Sequence, residues 1–179
     1  MPLNSRNIIW ITGLSGAGKS SLAKIISGKL NEMNLPTILL NGDEVRKLLP
    51  ESNQTNNDEY KLENRIKIAL YYSKLCSYLS NQGFNVVMAT ISLYKEIQDW
   101  NKLNLKNYNE LYLDVPLSVL RKRDPKGIYQ LYYSGKIKNV AGIDLPINEP
   151  KNPRWHFKFK KDLDFNFIAD SVISDLCKS

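Results

Sequence analysis

The chain has 179 residues, enough for one domain with a well-buried core, and 25 Lys and Arg against 18 Asp and Glu give a net charge of +7 that suits anionic ligands. No stretch approaches roughly 20 consecutive apolar residues, so no membrane-spanning helix is expected, and lysines scattered without interleaved aromatics argue against a nucleic-acid partner. Cys76 and Cys177 have no metal-ligand spacing and fit a reducing cytoplasm, while the lone His156 cannot build a metal site or a Ser-His-Asp triad by itself.

In chain order, residues 1–6 lead directly into an apolar run, Asn7–Thr12, which predicts a first strand and leaves no signal peptide expected. Next comes Gly13-Leu-Ser-Gly-Ala-Gly-Lys-Ser20, a G-x-x-x-x-G-K-S loop, followed by a helical stretch over Lys19–Met33. Strand, glycine loop and helix together make a phosphate cradle. The backbone N–H groups of Gly13, Ser15, Gly16, Ala17 and Gly18 surround the phosphates, and the helix N-terminus adds partial positive charge. Lys19 reaches the β- and γ-phosphates, the Ser20 hydroxyl ligates Mg²⁺, and Ser21 lies at the same helix start. A nucleoside triphosphate is therefore expected as a ligand.

Further strands are predicted at Thr37–Asn41, Asn85–Thr90 and Glu110–Asp114, all short apolar runs of the kind buried on both faces. Helices are predicted at Asp43–Leu49, Glu59–Asn81, Tyr94–Asn101 and Pro116–Lys122, with polar Ser52–Asp58 read as a loop. Residues 124–150, carrying Gly127, Gly135, Gly142 and several prolines, have the composition of a mobile lid. Trp155–Phe159 reads as a last strand and Phe165–Leu176 as a closing helix. The alternation predicts an α/β fold: a P-loop NTPase-type three-layer sandwich with a mainly parallel sheet and a lid, in a single domain over 1–179. Ligands are then expected at the carboxyl ends of the strands.

Several later segments resemble the adenylyl-sulfate kinase (APS kinase) family over about residues 5–153. They are Asn41-Gly-Asp-Glu-Val-Arg46, Glu63-Asn64, Ile91-Ser92-x-Tyr94, Asp114-Val-Pro-Leu117, Arg123-Asp-Pro-Lys-Gly-Ile-Tyr129, Gly135-Lys-Ile-Lys-Asn139 and Gly142-Ile-Asp144-x-Pro146, beside the glycine loop. The resemblance implies an ATP-dependent kinase that phosphorylates the ribose 3′-hydroxyl of a 5′-activated nucleotide, with Mg²⁺ as cofactor and a homodimer as assembly. It implies catalytic roles for Lys19, Asp43 and Lys126, metal contacts from Ser20 and Asp43, and an ATP contact from Arg123. Acceptor contacts are implied for Asp43, Arg46, Asn64, Ile91, Ser92, Lys126 and Val140. The residue types suit that chemistry, since phosphoryl transfer needs positioned positive charge and a carboxylate near the acceptor oxygen. Asp43 is equally placed to cap the helix that starts there.

The departures from the family pattern fall on the acceptor side. APS kinases stack the acceptor adenine between two phenylalanines, and the corresponding positions are Asn56 and Val140. A base–aromatic stack is worth roughly 1–3 kcal/mol, so an adenine site without both loses about two orders of magnitude or more in affinity. The family's Asp-Arg ahead of Glu-Asn becomes Tyr60-Lys61, Phe before Ile-Ser becomes Thr90, Pro-Tyr-Arg becomes Leu93-Tyr94-Lys95, and the first Asp of Asp-Gly-Asp becomes Asn41. Relatives in surface-polysaccharide phosphoramidate pathways phosphorylate cytidine diphosphoramidate, whose pyrimidine loses less without the stack. That acceptor is expected here, with APS as the alternative. A non-catalytic nucleotide-binding protein is the alternative of another class; joint retention of Lys19, Ser20, Asp43 and Lys126 speaks for the kinase. No Asn-Lys-x-Asp guanine motif occurs, which disfavours a GTPase.

Overall fold

The computed structural model describes residues 6–49 and 61–178. Its elements are β1 (Ile8–Thr12), α1 (Lys19–Glu32), β2 (Thr37–Asn41), α2 (Gly42–Arg46), α3 (Leu62–Asn81), β3 (Asn85–Ala89), α4 (Lys95–Asn104), β4 (Tyr108–Asp114), α5 (Leu117–Arg123), α6 (Ile128–Tyr133), β5 (Trp155–Lys158) and α7 (Phe165–Leu176). The strands form one sheet in the order β2-β3-β1-β4-β5, and every neighbouring pair is parallel.

Side chains alternate across β1, and the core divides accordingly. Ile9 and Ile11 face a cluster with Leu22, Ala23 and Ile26 of α1 and Ile168, Ala169 and Val172 of α7. Ile8 and Trp10 face the other layer, with Ala69, Tyr72 and Cys76 of α3 and Ile97 of α4. All five β1 residues are buried, as a central strand covered on both faces requires. The result is helix–sheet–helix, the expected three-layer α/β sandwich.

Two glycines fix how the glycine loop leaves the sheet. Gly13 has φ 151°, and a Cβ there would lie 2.7 Å from the Leu113 carbonyl of β4. Gly18 has φ 96°, and a Cβ there would lie 2.3 Å from the Phe165 ring at the start of α7. A side chain at Gly13 would drive the loop off the backbone of β4, and one at Gly18 would be strained by its positive φ and would displace the Phe165 ring.

Several boundaries differ from the sequence expectation. β4 begins two residues earlier than expected, at Tyr108, because buried Asn109 is satisfied by Asn7 and Arg154 and so continues the strand despite its polarity. α4 continues to Asn104 rather than stopping at Asn101. α2 ends at Arg46, and Lys47–Leu49 close it as a turn with i→i+3 hydrogen bonds. α3 begins at Leu62; the loop expected over 52–58 and the positions Asn56 and Tyr60 lie outside the described residues. Helix α6 falls inside the segment expected to be an irregular lid. Its six residues are too few to show helical periodicity, and its start is fixed by the Asp124 carboxylate, which accepts from Tyr129 N (3.2 Å) and Gln130 N (2.9 Å).

Candidate functional site

The carboxyl ends of β1, β2 and β3 open into one cleft, lined among others by Ser15, Lys19, Ser20, Asn41, Asp43, Arg46, Thr90, Ile91, Ser92 and Lys126. Each strand contributes one wall. β1 delivers the glycine loop, whose root is tied across the cleft by the Thr12 hydroxyl donating to the Ile91 carbonyl. β2 delivers Asn41 and then α2. Asn41 Oδ1 accepts from Asp43 N at 3.1 Å, and Asn41 Nδ2 donates to Ser20 Oγ at 3.2 Å. Asn41 is thus the cap of α2, and the carboxylate of Asp43 is released from that work; the capping role considered for Asp43 belongs to its neighbour. β3 delivers Thr90–Ser92, where the Thr90 and Ser92 hydroxyls lie 2.8 Å apart and Ser92 takes φ 24°, a backbone region rarely adopted outside glycine.

Positive charge converges on this cleft. Lys19 is half-buried and donates to the Leu14 carbonyl at 2.8 Å. Burial, then the neighbouring Lys126 ammonium, push its pKa down to about 7, against a smaller upward pull from Asp43. A desolvated lysine at this place gains most when anionic phosphates arrive. Lys126 donates to the Asp43 carboxylate. Burial pushes the Asp43 carboxyl up, but the Lys126 hydrogen bond and charge, with Lys19 and Arg46 behind it, hold it below the usual carboxylate range.

A second cavity of about 270 Å³ adjoins the first under the lid. The two share Ser15, Arg65, Ile91 and Ile128, and the second is completed by Leu131, Ile137, Val140 and Ala141, with Lys138 and Asn139 at its rim. No aromatic ring stands among its described lining residues. Val140 is 6 % exposed and forms its wall. The lid is docked along its length. Tyr129 donates to the Ser15 carbonyl at 2.9 Å, Asp144 accepts from Asn139 N at 2.8 Å and Val140 N at 2.6 Å, and Asn148 N donates to the Leu93 carbonyl at 2.8 Å.

Most residues singled out from the sequence meet here: Ser15, Lys19, Ser20, Asp43, Arg46, Ile91, Ser92 and Lys126 in the first cavity and Val140 in the second. Gly13, Gly16, Ala17 and Gly18 form the loop between β1 and α1, with Ser21 exposed in the first turn of α1. Asn64 lies in the first turn of α3, outside the described lining of both cavities. Arg123 ends α5 with its guanidinium 5.0 Å from the centre of the Phe159 ring, beside the strand end of β5 rather than in the cleft. His156 faces Asp114 at 3.0 Å, on β5 and away from the cleft lining.

Sequence reasoning missed four side chains. Arg65 joins the two cavities and donates to the Asn139 carbonyl at 2.8 Å. Tyr72 donates to the Gly42 carbonyl at 2.6 Å, holding the turn before Asp43. Tyr94 lies 3 % exposed beside Arg65 and Arg46. Ile128 lines both cavities. Tyr94 and Ile128 lie inside motifs already singled out, and Arg65 stands four residues after Lys61, on the same helical face; Tyr72 carried no signal.

Among the described residues no cluster of three or more His, Cys, Asp or Glu side chains forms a protein metal cage. A hydroxyl and a carboxylate in one cleft, Ser20 and Asp43, are a hard-oxygen set of the kind that Mg²⁺ uses together with phosphate oxygens and water. No described helix is long and apolar enough to cross a membrane.

Residues 5–158 match the model of the adenylylsulphate kinase family. A cytidine diphosphoramidate kinase of Campylobacter jejuni is 36% identical over 176 residues, spanning 98% of this chain and 90% of that one. An adenylyl-sulfate kinase of Clostridium acetobutylicum is 37% identical over 173 residues, 94% of this chain and 82% of its own. Among solved structures, the APS kinase of Mycobacterium tuberculosis in complex with AMPPNP and APS superposes with a TM-score of 0.86 at 30% identity, covering 98% of this chain and 99% of that one.

Proposed function

From the premise that the chain belongs to the adenylylsulphate kinase family, we propose that it transfers the γ-phosphoryl group of ATP to the ribose 3′-hydroxyl of cytidine diphosphoramidate, for a capsular polysaccharide phosphoramidate. The observation that supports this acceptor most is the chamber under the lid, whose described lining holds no aromatic ring where APS kinases carry a stacking ring. An adenine depends on that ring for affinity; a pyrimidine, with its smaller face, depends on it less. The likeness to the Campylobacter jejuni enzyme supports the same reading.

In this account the glycine loop and Lys19 hold the β- and γ-phosphates, and Asp43 orients the acceptor hydroxyl. Lys126 exchanges its Asp43 partner for the transferring phosphoryl as charge develops there. Paired with Lys126, the Asp43 carboxyl is held below the usual carboxylate range and so enters the reaction ionised; once Lys126 has moved to the phosphoryl, it orients the acceptor hydroxyl and can take its proton. Ser20 and Asp43 would hold Mg²⁺, which supplies charge neutralisation between the phosphates. Arg46, Asn64, Ile91, Ser92 and Val140 are assigned to the acceptor, and Arg123 to the ATP.

A second reading, APS as acceptor, is favoured by the Clostridium and Mycobacterium relatives. The account also carries a homodimer, to be read by sedimentation, and a cytoplasmic setting, in keeping with two free cysteines. Product analysis by ³¹P NMR tests the chemistry. A new 3′-phosphomonoester on the cytidine acceptor, with the phosphoramidate intact, is expected. ATP bound without any transfer to either acceptor would instead leave a non-catalytic binding protein.

A further inference from the structure

Arg65 occupies a joint between three parts of the molecule. It stands in the first turn of α3, its backbone N–H bonded to the Lys61 carbonyl at 3.1 Å, so Lys61 and Arg65 share one helical face. Its guanidinium lines both cavities and donates to the Asn139 carbonyl at 2.8 Å. It also hydrogen-bonds the Tyr94 side chain, which is buried at the exit of β3. Asn139 holds a left-handed backbone, φ 61°, and its N–H is taken by Asp144 at 2.8 Å. The peptide groups on either side of Asn139 are therefore fixed from opposite directions, one by Asp144 and one by Arg65. The residue that follows is Val140, which lines the second cavity.

We propose that Arg65 is the positioning residue for the acceptor. Lining both cavities and holding the Asn139 carbonyl, it sets Val140 at the distance that admits the acceptor base. This rests on the acceptor site lying in these two cavities. An arginine suits the task because its planar fork holds a carbonyl and a second partner in one fixed geometry, which a lysine ammonium does not.

The test compares the wild type with Arg65→Met and Arg65→Lys, first without ligands by hydrogen exchange and then by steady-state kinetics with the better of cytidine diphosphoramidate and APS. Arg65→Met is expected to speed exchange of the Val140–Leu145 amides and raise the acceptor KM about tenfold or more, with the MgATP KM held within about twofold. Arg65→Lys, which keeps stem and charge, is expected to recover part of the exchange protection and less of the KM; it reads the same quantities if the Met variant does not fold. Unchanged exchange in 140–145, or an acceptor KM within about twofold of wild type, overturns the proposal. A wild type that prefers APS overturns the proposed acceptor instead and leaves the Arg65 comparison readable on APS.

Discussion

Lys126 donates to the carboxylate of Asp43, so the lid and the start of α2 meet in the cleft that Lys19 lines. The pair spans 83 positions of sequence and closes the cleft from above. In the proposed reaction these are the cation and the carboxylate that phosphoryl transfer requires, and their contact must open to admit the acceptor hydroxyl. Both partners are substantially exposed, and the contact adds little to fold stability. Its consequence lies in the chemistry.

Asp43→Asn should therefore separate function from fold. Asn41, not Asp43, caps α2, so the variant keeps the helix start and its melting temperature stays within about 2 °C of wild type. Turnover falls by about 10²-fold or more, since the charge that orients hydroxyl and metal is gone. A variant that unfolds yet keeps its specific activity would return Asp43 to a structural role.

MgATP binding should take up protons. Lys19 titrates at about 7 in the free protein because burial and Lys126 disfavour its charge, and bound phosphates favour the charged form. With the complex titrating well above the free protein, uptake is about half a proton at pH 7 and approaches one by about pH 8.5. Affinity is fully expressed below pH 7 and weakens as pH rises past it. Calorimetry in buffers of different ionisation enthalpy reads this directly. Absence of uptake, or equal uptake in Lys19→Met, contradicts the assignment.

Glu110 carries a stability cost outside the site. It lies 3 % exposed on β4, in a buried polar cluster with the Tyr108 hydroxyl and the Asn101 amide whose groups meet without well-formed hydrogen bonds. Burial raises its pKa, with Lys102 and Tyr108 opposing weakly. A raised carboxyl binds its proton more tightly folded than unfolded, so stability is full below the unfolded pKa and lost as pH rises through the folded one. Glu110→Gln should thus melt about 3 °C higher than wild type at pH 8 and within about 1 °C of it at pH 4. A destabilised variant at pH 8 would show that the charge is held by a partner.

Val140→Phe together with Asn56→Phe should shift preference toward APS. Val140 walls the chamber, and a ring there restores one face for adenine to stack on; Asn56 is the corresponding position of the second. Each stack is worth roughly 1–3 kcal/mol, so the ratio of APS to cytidine acceptor kcat/KM should rise by about tenfold or more. No change in the ratio would detach these positions from base recognition.

Locally encoded features were legible in the sequence. The bounds of β2, Thr37–Asn41, and of α7, Phe165–Leu176, follow from apolar patterning alone, and the glycine loop announces itself through Gly13, Gly18, Lys19 and Ser20. Features that depend on distant partners were not. Asn109 reads as a strand breaker until Asn7 and Arg154 satisfy it, and α6 is hidden among glycines because its stability comes from Asp124 and the buried Tyr129 ring. The same holds in the site. Asp43, Tyr94 and Lys126 belong to recognisable motifs, whereas Arg65 and Tyr72 enter the cleft only through the tertiary packing of α3. The Arg123 guanidinium stacks near the Phe159 ring beside β5, a neighbour distant in sequence that its motif does not announce.

The most direct measurement is the ratio of kcat/KM for cytidine diphosphoramidate and for APS, taken on one preparation of the unmodified protein at saturating MgATP. The chamber under the lid predicts a ratio well above one, with the cytidine acceptor turned over at about 10⁴ M⁻¹s⁻¹ or faster and APS slower by about two orders of magnitude. Turnover of APS at that rate, with cytidine diphosphoramidate left unphosphorylated, would contradict it.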